Sequence, residues 1–236
     1  MQITASKWAG AGILVMALAL PAGAEEGTKG HSHGHDHAHS HDHAGGDQTP
    51  EAKANAEAKA KISKGYFDDA QVADRTLSDW EGDWQSVYPL LQDGTLDPVW
   101  QHKAKSGDKS ADAYRAYYET GYQTDVTRID IKGDQISFYK GDRAARGSYA
   151  SDGYEVLTYE KGNRGVRFIF RKTEGDAEAP DFIQFSDHII APEKSSHFHL
   201  YWGSDRKALL SELTHWPTYY PAALSADDVL HEMLHH

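Results

Sequence analysis

The sequence predicts a mainly β fold, an antiparallel sandwich or barrel with short flanking helices and C-terminal helices. Two observations carry this. Short runs with strand character recur at regular spacing over residues 125–131, 135–139, 147–150, 155–159, 166–171, 182–190 and 197–202. Between them stand Lys132-Gly-Asp, Ser151-Asp-Gly153 and Lys161-Gly-Asn163, residues able to supply the positive φ that hairpins need.

The elements follow in order. Residues 1–24 read as a signal peptide: Lys7 is the positive n-region, residues 13–20 form the apolar core, and Ala22-Gly-Ala24 is an A-x-A site cleaved after Ala24. The apolar run is too short to span a bilayer, so no membrane anchor is expected. Residues 25–63 form a His-rich tail and linker. Seven histidines alternate with small polar residues from His31 to His43, a composition that binds metals without a packed core. Residues 44–63 are expected to be linker or frayed helix. The folded domain then occupies 64–236. Within it, residues 80–88 read as a strand, 89–94 as a helical turn and 112–118 as a short helix. Ser204 can cap a helix over 205–216, and Ser225 with Asp228 looks like a capping box for 226–235.

Charge and cysteine content narrow the function. The formal net charge is −12 and Lys/Arg clusters are missing from the sequence, so nucleic acid is not an expected partner. The chain contains no cysteine, which removes disulfides, a lipoprotein anchor and thiolate ligands.

The chemistry concentrates in Asp187-His188-Ile-Ile-Ala-Pro-Glu-Lys-Ser-Ser-His197-Phe-His199. Read as a hairpin centred on Glu193 and Lys194, paired residues sum to 387 and His188 faces His199. His197 and His199 share a strand face, and His197 lies diagonally within reach of His188. Three imidazoles without thiols suit a tetrahedral zinc ion with one position open. On this register Asp187 points away from the cluster. Imidazole ligands compete with protons near pH ~6.5, so affinity is expected to fall as pH drops through about 6.

His231-Glu-Met-Leu-His235 matches the H-E-x-x-H of zinc peptidases, in which a helix presents two histidines and a glutamate base. A downstream third ligand is missing apart from His236, and a terminal helix frays. A docking helix through Val229, Leu230 and Met233 is therefore the expected role, with a peripheral metal contact by His231 and His235 as the second. His102 and His215 are isolated and read as surface or packing residues. The aromatics around Trp80, Trp84, Tyr88, Trp216, Tyr219 and Tyr220 are assigned to core packing.

Longer motifs carry a resemblance. Phe67-Asp-Asp-Ala, Arg75-Thr-Leu-Ser-Asp-Trp80-Glu-Gly-Asp-Trp84 through Leu91, Ile183 to Pro192, Ser195-Ser-His197-Phe-His199 and Trp216-Pro-Thr-Tyr-Tyr-Pro221 together resemble the ZinT (YodA) family. The resemblance covers about Gly65 to Ser225. It implies a lipocalin-like (calycin) barrel, a periplasmic location, and zinc or cadmium binding by His188, His197 and His199 near the barrel mouth. It further implies zinc recruitment during scarcity and transfer to the solute-binding component of a zinc ABC importer. Many relatives carry a cysteine pair that this chain lacks. The expectation is a monomeric metal carrier that is not an enzyme. The alternatives are a zinc hydrolase using the same histidines, and a lipocalin-type carrier of an apolar ligand.

Overall fold

Eight antiparallel strands follow one another around a closed barrel in chain order. The computed structural model describes residues 49–235. The signal peptide, the His31–His43 tract and His236 lie outside them.

The strands are β1 (Gly82–Ser86), β2 (Arg128–Lys132), β3 (Gln135–Lys140), β4 (Arg143–Thr158), β5 (Arg164–Gly175), β6 (Phe182–Ser186), β7 (Phe198–Gly203) and β8 (Thr218–Pro221). The helices are α1 (Pro50–Ser63), α2 (Tyr88–Gln92), α3 (Asp97–Ser106), α4 (Ala111–Tyr122), α5 (Arg206–Leu210) and α6 (Ala226–His235). Among the described residues, no helix is long and apolar enough to cross a membrane.

Several local expectations change. Residues 147–150 and 155–159 are not two strands joined by a turn. β4 runs through both, and Ser151-Asp-Gly153 makes a bulge where the register to β5 shifts between Ser151 and Tyr154. A bulge and a tight turn ask for the same residues, so composition alone does not separate them. Trp80 ends a 3-10 helix (Leu77–Trp80) rather than opening a strand. β1 starts at Gly82, whose φ of +141° suits glycine. The helix expected over 205–216 stops at Leu210 and is capped by Asp205, which accepts from Lys207 and Ala208, instead of Ser204. Beyond it the Glu212 carboxylate turns the chain by accepting from the backbone of Thr214 and His215. The helix over 226–235 forms as α6, and Ser225 and Asp228 exchange the reciprocal bonds of a capping box. α1 forms within residues 44–63, where a linker or frayed helix is expected, whereas α3 and β8 carry no expectation from the sequence. α1 is capped by Thr49, and β8 closes the barrel by pairing with both β7 and β1.

Two hydrophobic bodies result. Trp80, Trp84, Ile129, Phe168, Phe185, Phe198 and Leu200 fill the barrel, with Trp80 stacked on Phe185 at 4.5 Å. The second body joins α2, α3, α4 and α6 to Tyr201, Trp216 and Tyr220, which face the outside of the wall. α4 approaches Trp216 closely. A Cβ on Gly121 would lie 2.3 Å from the indole, and the backbone N–H of Trp216 donates to the Gly121 carbonyl at 2.6 Å. Val229 and Met233 of α6 are buried in this layer, with Leu230 partly so. The terminal helix thus docks through the three residues expected.

Candidate metal centre

Strand alternation decides where the histidines point. Phe198 pairs with Tyr219, and both belong to the barrel interior. His199 pairs with Thr218 on one side and Ser186 on the other, so this row faces outward. The β6–β7 pairs sum to 385 rather than the expected 387, which sets Ser186, not His188, opposite His199. The two sums differ by an even number, so every residue keeps its face. Pairing ends at Ser186, short of the expected residue 190, and His188 belongs to the connecting segment.

A backbone feature delivers His188. Its φ is +64°, the only positive value at a non-glycine residue among those described. Such a conformation costs about 1–3 kcal/mol and persists where surrounding contacts impose it. Those contacts centre on Asp187. Its carboxylate, turned away from the histidines, accepts from Arg75 Nη1 at 2.7 Å, Trp80 Nε1 at 3.0 Å and the Ile189 N–H at 3.2 Å. Arg75 also donates to the carbonyls of Ile189 and Glu193 and to Asp79. Its guanidinium lies 4.0 Å from the centre of the Trp80 ring. The Ser195 N–H reaches the Asp79 carbonyl at 2.8 Å, and the Ser195 hydroxyl donates to the His197 carbonyl at 2.7 Å. Both ends of the 187–197 segment are therefore tied to one buried ion-pair network.

The three imidazoles converge. One ligand nitrogen from each of His188, His197 and His199 lies within 4.8 Å of the others, and ring centroids are 5.7–6.1 Å apart. Two imidazoles on one tetrahedral ion, with Zn–N bonds of about 2.0–2.1 Å, have centroids roughly 5 Å apart. A slight closure of the set suffices to hold zinc. His197 is buried and stacked on Tyr220 at 5.0 Å, with 12° between the planes.

The hydrogen bonds of His199 specify its tautomer. The Thr218 hydroxyl donates its single hydrogen to the Trp216 carbonyl at 3.0 Å. Toward His199 Nδ1, 2.7 Å away, that oxygen can therefore only accept. Nδ1 carries the hydrogen toward Thr218, which makes Nε2 the nitrogen able to ligate a metal, the arrangement metal-binding histidines favour.

The cluster sits where β6 ends and β7 begins, at one end of the barrel and outside its wall. It lines a cavity of about 470 Å³ shared with α3, α4 and α6. Tyr117, Tyr118, Tyr122, Tyr201, Tyr220, Trp216, Lys103 and His235 contribute walls, and no Asp or Glu does so among the described residues. Burial pushes the phenols of Tyr118, Tyr122 and Tyr220 far up. Tyr201 rises to about 12, chiefly through burial, against a smaller opposing pull from Arg167. These phenols stay neutral near pH 7. Burial also lowers Lys103 from the ordinary lysine range.

A sequence model described as ZinT (YodA) periplasmic lipocalin-like zinc-recruitment matches residues 58–236. The chain belongs to the ZinT (YodA) family. It is 56% identical over 177 residues to the probable metal-binding protein YrpE of Bacillus subtilis (strain 168), covering 75% of this chain and 70% of YrpE. It is 50% identical to the zinc-binding lipoprotein AdcA of Streptococcus pneumoniae, covering 74% of this chain but only 35% of AdcA. The Zn(II)-bound crystal structure of the ZinT-like domain of that AdcA superposes with a TM-score of 0.71 at 50% identity, covering 73% of this chain and 97% of the domain. Zn(II)-bound AdcA gives 0.72, covering 74% of this chain and 38% of that one. The ZinT fold is thus a lipocalin-like closed barrel, as the sequence resemblance implied.

The remaining histidines separate. His215 Nε2 bonds the Gln123 carbonyl, and His102 lies on α3 and is not part of the cluster. His231 and His235 are exposed on α6. Sequence reading missed Thr218, Tyr220 and the Arg75–Asp187 pair as supports of the cluster. All but Asp187's partner choice were visible as residues of the family motifs. Their roles depend on which strand pairs with which.

Proposed function

We propose that this protein is an exported zinc carrier that binds Zn(II) through His188, His197 and His199 and passes it to the solute-binding component of a zinc ABC importer. One observation carries the reading: three imidazoles converge, and Thr218 presets the donor nitrogen of His199. The names of the ZinT relatives support zinc as the ion. The family description supports the periplasmic location, and cleavage after Ala24 belongs to the same reading.

The site acts as a holder and not as a catalyst. A zinc hydrolase needs a base beside the metal-bound water. The cavity offers no carboxylate among the described residues, and its phenols are held neutral. The fourth position is thereby left to water, an anion or an exchangeable ligand, which suits release. Competition against a fluorescent zinc chelator tests the assignment. The full chain should show one site tighter than the histidine tail, lost in His188→Ala while weaker tail binding remains. Equal tight binding by His188→Ala would overturn it. Delivery is tested by mixing zinc-loaded protein with the apo solute-binding protein: transfer should outpace spontaneous zinc release.

A further inference from the structure

The ligand set above leaves two histidines of α6 unused. His231 and His235 stand one helical turn apart, with ring centroids 4.2 Å from each other and 35° between their planes. Residues at this spacing project side by side from a helix. His235 Nδ1 lies 2.8 Å from the His231 carbonyl, and a carbonyl only accepts. The hydrogen therefore sits on Nδ1, and His235 Nε2 keeps its lone pair for another partner. The helix backbone sets this tautomer as Thr218 sets that of His199.

Position gives the pair its meaning. His235 lines the same cavity as the three-histidine cluster, whereas His231 is outside that lining and exposed. The two form a step from solvent to cavity rim. The acidic first turn of α6 is close by. The Asp228 carboxyl is held below its usual range, first by hydrogen bonds from Ser225 and then by a smaller effect of His231. Negative charge thus lies next to the outer imidazole, where a cation would arrive.

We infer that His231 and His235 form a second, two-coordinate site for a divalent transition ion at the cavity rim, a station through which zinc enters the His188/His197/His199 centre. Two imidazoles and exchangeable water ligands hold zinc more loosely than three converging imidazoles, so the ion moves inward down an affinity gradient. A slight opening of the pair toward the roughly 5 Å centroid spacing of ligands on a tetrahedral ion accommodates it. The rim site itself rests only on the geometry of α6; the relay rests on the zinc reading of the central cluster.

The test uses the full chain and zinc alone. Histidine carbethoxylation read peptide by peptide reports each residue separately, so the tail does not obscure the result. After the central site is filled, further zinc should protect His231 and His235 together, several-fold more than the isolated His102. In His231→Gln, protection of His235 should fall several-fold; unchanged protection would overturn the chelate. The fluorescence of Trp216 and Tyr220, which flank the cavity, then reports loading of the centre. The double variant His231→Gln/His235→Gln should load several-fold more slowly with unchanged equilibrium affinity. An unchanged rate overturns the relay. A loss of central affinity overturns it too, by making His235 a ligand of the central ion. In His188→Ala the rim protection should persist, so failure of the central assignment is read independently.

Discussion

The two faces of β7 differ in what they hold. Phe198 and Leu200 point into the barrel, where they are fully buried among Trp84, Phe185 and Tyr219. His199 and Tyr201, alternating with them, point out beneath the helices. One face belongs to the aromatic core of the barrel; the other carries the polar cluster beside the cavity, to which the proposal assigns zinc binding. The same five or six residues of backbone register both. The geometry of the histidines is therefore held by a strand fixed from behind.

That division can be broken from either side. The largest effect is expected inside: Phe198→Ala should cost about 3–5 kcal/mol in denaturant unfolding, with zinc affinity retained by whatever fraction stays folded. Asp187→Ala should cost less, about 1–3 kcal/mol, because it leaves the Trp80 N–H without its acceptor and Arg75 with Asp79 as its one remaining ion-pair partner. It should also impair zinc binding, since that network holds His188, and calorimetry on the folded fraction would show both. Outside the wall, His199→Ala should lower zinc affinity by more than about 100-fold, above what the loss of a ligand's supporting hydrogen bond costs, with little change in unfolding midpoint. Thr218→Val should lower affinity by about 10–100-fold, and Thr218→Ser should restore it. ¹⁵N shifts of the His199 ring would show the tautomer freed in Thr218→Val. The smallest effect has the opposite sign. His188→Gly should abolish tight zinc binding yet raise metal-free stability by about 1 kcal/mol over His188→Ala, because glycine accepts the positive φ without strain.

How far these features were legible depends on which physical signal encodes them. Face parity was readable, because alternation along 182–186 and 198–203 survives an error of two in the register sum. The register was not, because the 187–197 segment is shaped by contacts with Arg75 and Asp79, more than a hundred residues earlier in the chain for most of its length. His188 looked like a strand residue and is a left-handed one, held there by Asp187. β8 was hidden by Pro217 and Pro221, which break the pattern of a strand while permitting a four-residue one. The Ser151–Gly153 bulge carries a turn's composition. The capping box at Ser225 and the apolar stripe of α6 were local, and both appear where expected.

Gly121 has a consequence beyond packing. Its missing side chain lets Trp216 lie flat against α4, and Trp216 forms part of the cavity wall. Position 121 is thus a dial on cavity width that lies outside the three-histidine cluster. An alanine there would force the indole to shift, because its Cβ would lie 2.3 Å from the ring. The shape of the space beside the three imidazoles can in this way drift, or be engineered, without replacing a histidine.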